Sequence, residues 1–312
     1  MTQKVFKPKT REEWLNRRSS FLGGSEIATV VGCNPFQTPY QLWEIKTGKA
    51  PKFEGNNATE MGNLLEPVVA ERFESVTGHR VIKASADDVV YINKDYPFLA
   101  GTPDRFYYPE EKDGKRVLEC KSTSMTVDPD QIPQMWFIQT LFYMGLTGMD
   151  KGAIAWLSGN RGFTFDYLPI GFDSELYDML VQAGVSFWQD CVEADIPPDA
   201  MNVDDVQRMY RSHVEGKTVD ADLDLYNQHV ELASLKKIKA LTDEKITTHE
   251  EVIKMAYKDA EAIKYGGEIL STWKQAKASV KLDSKKLKVE MPEVFKRYSN
   301  ETEGSRRFLL KV

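Results

Sequence analysis

The stretch from Gly101 to Ser122 constrains this chain more than any other. Asp104 closes a Gly-Thr-Pro-Asp turn, Glu119 follows fifteen residues later, and Lys121 two after that. Residues 110–115, Glu-Glu-Lys-Asp-Gly-Lys, read as a hairpin turn between the expected strands Leu99–Tyr108 and Arg116–Ser122. Positions 119 and 121 are separated by one residue, so on a strand they share a face. Two charges on the face of an apolar strand are costly to bury without compensation. One reading is a solvated ion pair. The other is a divalent metal ion held by the carboxylates, with the ammonium beside it. Carboxylates suit a hard cation. The cation lowers the pKa of bound water and polarises a phosphoryl oxygen. A lysine nearby orients the water or neutralises the phosphate. That is the core of a metal-dependent nuclease.

The chain has 312 residues, enough for one large domain or two modest ones. No apolar run approaches the ~20 residues that span a bilayer, and mean hydropathy is −0.45. Met1–Thr10 is polar and basic, unlike a secretory signal. Cys33, Cys120 and Cys191 are few and far apart, which suits a reducing cytoplasm and excludes a four-cysteine metal site. The net charge of −6 argues against a protein that coats DNA. It argues less against a nuclease, whose carboxylates add negative charge and whose cation offsets it.

Periodicity predicts a helix from Thr10, a short helix capped by Ser25, and another beginning at Thr38-Pro39. Met61, Leu64, Leu65, Val68, Val69 and Phe73 predict a helix over 59–77, kinked or restarted at Pro67. Strands are predicted at Arg80–Lys83, Val89–Ile92, Ala153–Leu157 and Phe163–Ile170. Helices are predicted at Ile132–Leu146, with Pro133 in the first turn, and at Asp173–Asp195. Residues 196–218 read as a linker, and Asp220 to about Tyr265 as a charged helix. Strands are expected at Glu268–Lys274 and Arg307–Val312. His79, His213, His229 and His249 lack ligand spacing. Trp43, Trp136, Trp156 and Trp188 read as core.

Four segments in order resemble the YqaJ-like viral recombinase family, whose best-known relative is lambda exonuclease, within the PD-(D/E)xK nuclease superfamily. They are Arg18 through Gly23-Gly24-Ser25-Glu26-Ile27, then Met61 through Glu66-Pro67, then Asp104 with Leu118-Glu119-Cys120-Lys121, and finally Gln139 through Met144 with Thr147-Gly148. The resemblance covers about residues 10–195. Ser122-Thr123-Ser124 departs from it, where the family often has an aromatic residue or proline.

The resemblance implies an α/β, restriction-endonuclease-like core, a central mixed sheet flanked by helices, over 1–198. An extension with a long charged helix and small strands fills 199–312. It implies that Asp104, Glu119 and Glu66 hold Mg²⁺, with Mn²⁺ as substitute, and that Lys121 acts on the water. Gln139 touches the water or the scissile phosphate, with Gln131 and Gln134 as rivals. Arg18, with Arg17 as rival, and Ser25 grip a 5′-phosphate. The implied activity is 5′-to-3′ digestion of double-stranded DNA ends, leaving 3′ overhangs for a single-strand annealing protein in phage-type recombination. The implied assembly is a toroidal homo-oligomer, a trimer or tetramer, in the host cytoplasm with no membrane partner. The competing readings are an endonuclease of restriction or repair type and a non-catalytic DNA-end-binding protein.

Overall fold

A computed structural model describes residues 4–6, 20–50, 55–83, 89–110, 113–159, 162–300 and 304–311. The predicted helix from Thr10 lies outside them. After the short strand β1 (Lys4–Phe6) come helices α1 (Gly24–Val30) and α2 (Pro39–Lys46). Ser25 does not cap α1: Gly23 is the N-cap residue, and its N–H donates to the Glu26 carboxylate at 2.9 Å. Thr38 caps α2 in a full capping box with Gln41.

Helix α3 (Asn57–Thr77) is one continuous element of 21 residues. Pro67 neither restarts nor ends it, because Pro67 and Asn63, whose carbonyl loses its partner, both face water. Gly78, at φ 70°, provides the left-handed stop. The strands β2 (Arg80–Lys83), β3 (Val90–Ile92), β4 (Ala100–Gly101), β5 (Arg105–Tyr108) and β6 (Arg116–Thr123) follow. The single strand expected over Leu99–Tyr108 is therefore two. It breaks at Thr102-Pro103-Asp104, since Pro103 has no N–H to give a ladder.

Helix α4 (Gln134–Thr147) leads to strands β7 (Lys151–Ser158) and β8 (Thr164–Gly171). Pro133 precedes α4 as its N-cap residue rather than lying in its first turn. Helix α5 (Ser174–Ser186), capped by Asp173, continues into a π-helical stretch, Phe187–Glu193, where the wider turn departs from the single α-helix expected.

The central sheet runs β2-β5-β6-β7-β8. β6 and β7 are parallel and every other pair is antiparallel, so the sheet is mixed as expected. β1, β3 and β4 form a second, three-stranded sheet. On one face of the central sheet, Val69, Ala70 and Phe73 of α3 pack on Tyr107, Leu118, Cys120, Ala153 and Ala155. On the other lies α4, with Trp136 against Trp156 at 6.4 Å between rings. Each buried side chain of this size contributes about 1.5–3 kcal/mol. Of the four tryptophans expected in the core, Trp43, Trp136 and Trp156 are buried, and Trp188 is half-buried and stacked on Phe98.

The chain divides into two compact units, Met1–Arg208 and Met209–Val312. Helix α6 (Val203–Met209) lies within the stretch expected as a linker. Its Asp205 is fully buried and accepts from Thr38 Oγ1 at 2.8 Å and Met201 N at 3.0 Å. The second unit holds α7 (Leu223–Tyr257), whose Leu225, Leu235, Ile238 and Leu241 remain exposed. It ends earlier than expected, and strands β9 (Ala262–Tyr265) and β10 (Glu268–Thr272) pair across Gly266-Gly267. Helices α8 (Ser284–Glu290) and α9 (Pro292–Arg297) complete it, and residues 307–311 form no strand.

Candidate active site

Strand β6 alternates. Leu118 and Cys120 belong to the apolar layer under α3. Glu119 and Lys121 point the other way, toward α4. The Glu119 side chain is fully buried, and its two oxygens are both engaged. Oε1 accepts the Asp104 N–H at 3.2 Å, and Oε2 accepts Lys121 Nζ and Gln139 Nε2, each at 2.8 Å. Lys121 also donates to Gln139 Oε1 at 3.1 Å. The break before β5 swings the Asp104 carboxylate back to β6, where Oδ2 accepts the Cys120 N–H at 3.0 Å. Asp104, Glu119, Lys121 and Gln139 thus form one hydrogen-bonded cluster beside β6, next to where β5 begins. Gln131 and Gln134 are exposed on the surface.

Burial, and then the Asp104 charge beside it, pushes the Glu119 carboxyl up to about 8, against the pull of the Lys121 ammonium. Burial alone would lower the Lys121 pKa, but the Glu119 and Asp104 carboxylates outweigh it and hold that ammonium firmly protonated. The Cys120 thiol is driven well up by burial and by the carboxylates around it, and stays an inert thiol.

Glu66 sits elsewhere. It continues the sheet-facing stripe of α3 at the 66, 69, 70, 73 spacing and reaches the sheet margin, where it pairs with the Arg105 guanidinium. Burial and then the Asp104 charge raise its pKa, and Arg105 opposes them. Among the described residues no three His, Cys, Asp or Glu side chains gather to share one ion. The carboxylates brought together are Asp104 and Glu119. They suit a divalent cation: a fully buried carboxylate with raised proton affinity has unmet negative charge beside it, and a hard dication answers that.

Ser25 lies in the first turn of α1, which crosses α4 close to the cluster. A Cβ added at Gly24 would lie 2.9 Å from the Tyr143 ring and 3.0 Å from Gln139 Cγ. Arg18 and Arg17 lie outside the described residues.

Comparisons with known proteins identify the family. The model of the YqaJ-like viral recombinase domain matches residues 13–150. The protein YqaJ of Bacillus subtilis (strain 168), itself uncharacterised, is 31% identical over 315 residues, 97% of this chain and 94% of the relative. The chain belongs to the YqaJ-like viral recombinase family. Two solved structures resemble parts of this family member. One is the alkaline exonuclease LHK-Exo of Laribacter hongkongensis, at 18% identity and a TM-score of 0.48, covering 59% of this chain and 94% of that one. The other is a phage-related exonuclease of Haemophilus somnus 129PT, at 17% identity and a TM-score of 0.40, covering 61% of this chain and 91% of that one. At these scores the architecture is read from the strands themselves.

Two residues of the site escaped the sequence reading. Arg105 carries a signal in retrospect, a charge placed inside the apolar strand Phe106-Tyr107. Tyr143 stands four residues after Gln139, one helical turn on, and so shares its face.

Proposed function

We propose that the protein is a Mg²⁺-dependent exodeoxyribonuclease, with Mn²⁺ as a substitute, that digests double-stranded DNA from its ends. The observation that carries this reading is a fully buried Glu119 joined to Asp104, Lys121 and Gln139 within 3.2 Å. A surface ion pair needs neither full burial nor three partners, and membership of a viral recombinase family supports a DNA substrate. A divalent ion held by Asp104 and Glu119 would supply Lewis acidity toward a phosphoryl oxygen and an activated water. The chain's own residues set the geometry. Gln139 and Lys121 fix the Glu119 carboxylate from one side, and Asp104 N–H fixes it from the other. The Lys121 ammonium, kept charged, stands where it can orient the attacking water and offset charge that builds on the phosphate.

The same reading assigns Arg18 and Ser25 to the 5′-phosphate, which gives 5′-to-3′ polarity and 3′ overhangs for a single-strand annealing partner. α1 supports it by bringing Ser25 to the flank of the helix that carries Gln139. A toroidal homo-oligomer would reconcile a net charge of −6 with DNA binding by gathering basic side chains along a channel. The chemistry belongs to the first unit. End-labelled linear duplex and a closed circle, each incubated with Mg²⁺, test the activity: the linear DNA should shorten while the circle survives. Cutting of the circle would make the protein an endonuclease, and no cutting at all a binding protein. Slower digestion of 5′-hydroxyl than 5′-phosphate ends would support the assignment of Arg18 and Ser25, and equal rates would remove it.

A further inference from the structure

We propose that the Arg105 guanidinium stands in for a second cation, so that this site takes a single divalent ion, on Asp104 and Glu119. The inference rests on the metal-dependent reading above and adds a stoichiometry to it. Arg105 pairs across the sheet with Leu118, so its side chain leaves on the α3 side, opposite to Lys121. There it is nine-tenths buried and pairs with Glu66. The nitrogen that makes this pair, Nη1, also donates to the Asp104 carbonyl at 2.7 Å. One planar cation thus ties the helix carboxylate to the main chain of the turn that carries Asp104, and it holds the one carboxylate beside Asp104 and Glu119 that a second dication could draw on.

Two costs keep a dication out. Held by Glu66, it would face the guanidinium paired with that carboxylate, and like charges so close repel. If Glu66 turned to the ion instead, Arg105 would be left unpaired against the apolar layer, and an unpaired buried charge is among the largest local penalties.

Mn²⁺ titration of the full-length protein, followed by electron paramagnetic resonance and calorimetry, tests the proposal without using activity. Sites are counted as those lost when Asp104→Asn and Glu119→Gln are combined, which separates them from surface binding to an acidic protein. The unsubstituted chain should bind one ion at the site, and Glu66→Gln should still bind that one. Arg105→Met should admit a second ion, and adding Glu66→Gln to it should remove that ion again. Arg105→Lys, which keeps a cation there, should stay at one. Two ions in the unsubstituted chain, loss of the ion in Glu66→Gln, or a single ion in folded Arg105→Met would overturn the proposal while the metal-dependent reading stands. No ion bound at Glu119 would overturn both. Should Arg105→Met fail to fold, the Glu66→Gln titration alone decides.

Discussion

At the scale of single residues, Glu119 concentrates the account. It is a carboxylate with no exposed surface, held between an ammonium and an amide. Its proton affinity gives the sign of a pH effect. The folded-state pKa, about 8, lies above the ordinary value of 4.5, so the folded chain holds this proton more tightly than the unfolded chain does. The stability this contributes is complete below the ordinary value and is lost as pH rises toward 8. The raised Glu66 adds to the same trend. Lys121 titrates above this window and does not oppose it. Metal-free protein melted in chelator should therefore lose stability between about pH 5 and pH 8, by a few kcal/mol in total. Glu119→Gln should flatten that slope, and Mg²⁺ should reverse it; a slope unchanged by Glu119→Gln would remove the buried-carboxylate argument. Glu119 and Lys121 were legible in the sequence because a strand's period puts them on one face; Asp104 was read from its turn and spacing, and Gln139 only from the family resemblance. Arg105 was not, because a lone arginine in a strand does not reveal which carboxylate it will meet across a helix.

At the scale of elements, the site depends on how closely α1 approaches α4. Gly24 lets α1 lie against Gln139 and Tyr143 with no Cβ between them. Alanine is the better helix former, so Gly24→Ala would stabilise α1 if packing were indifferent. Overpacking of a filled interface typically costs about 1–3 kcal/mol. We expect Gly24→Ala to lower the melting temperature and to slow hydrolysis by more than its stability loss explains, because the added methyl displaces Gln139. An unchanged melt and unchanged rate would mean that the two helices have slack between them. Element types were legible from apolar spacing, down to the stripe of Val69 and Phe73. Element ends were less so. Pro67 stays inside α3 because its broken bond faces water, and Pro103 splits a strand because its missing donor falls on a ladder. The same residue type acts oppositely at the two positions, and only the three-dimensional setting distinguishes them.

At the scale of the whole molecule, the net charge of −6 means that attraction to DNA must be local to the site and its surroundings. In the ring proposed above, basic side chains from several copies meet many phosphates, so digestion should fall steeply with added salt. A shallow fall would mean few phosphate contacts and count against the ring. The division at Arg208 was less legible than the fold of the first unit. Asp205 reaches Thr38 from a stretch whose proline-rich, polar composition reads as linker, and a contact across 167 residues leaves no local pattern.

The most direct measurement is the digestion of linear duplex labelled at its 5′ or 3′ end, with Mg²⁺, by the unsubstituted protein and by Lys121→Ala. The account predicts early release of the 5′ label, a long-lived 3′-labelled strand, and a loss of at least about 100-fold in rate on removing the Lys121 ammonium. Digestion by Lys121→Ala at the unsubstituted rate would contradict the central claim that the Asp104, Glu119 and Lys121 cluster is where the DNA is cut.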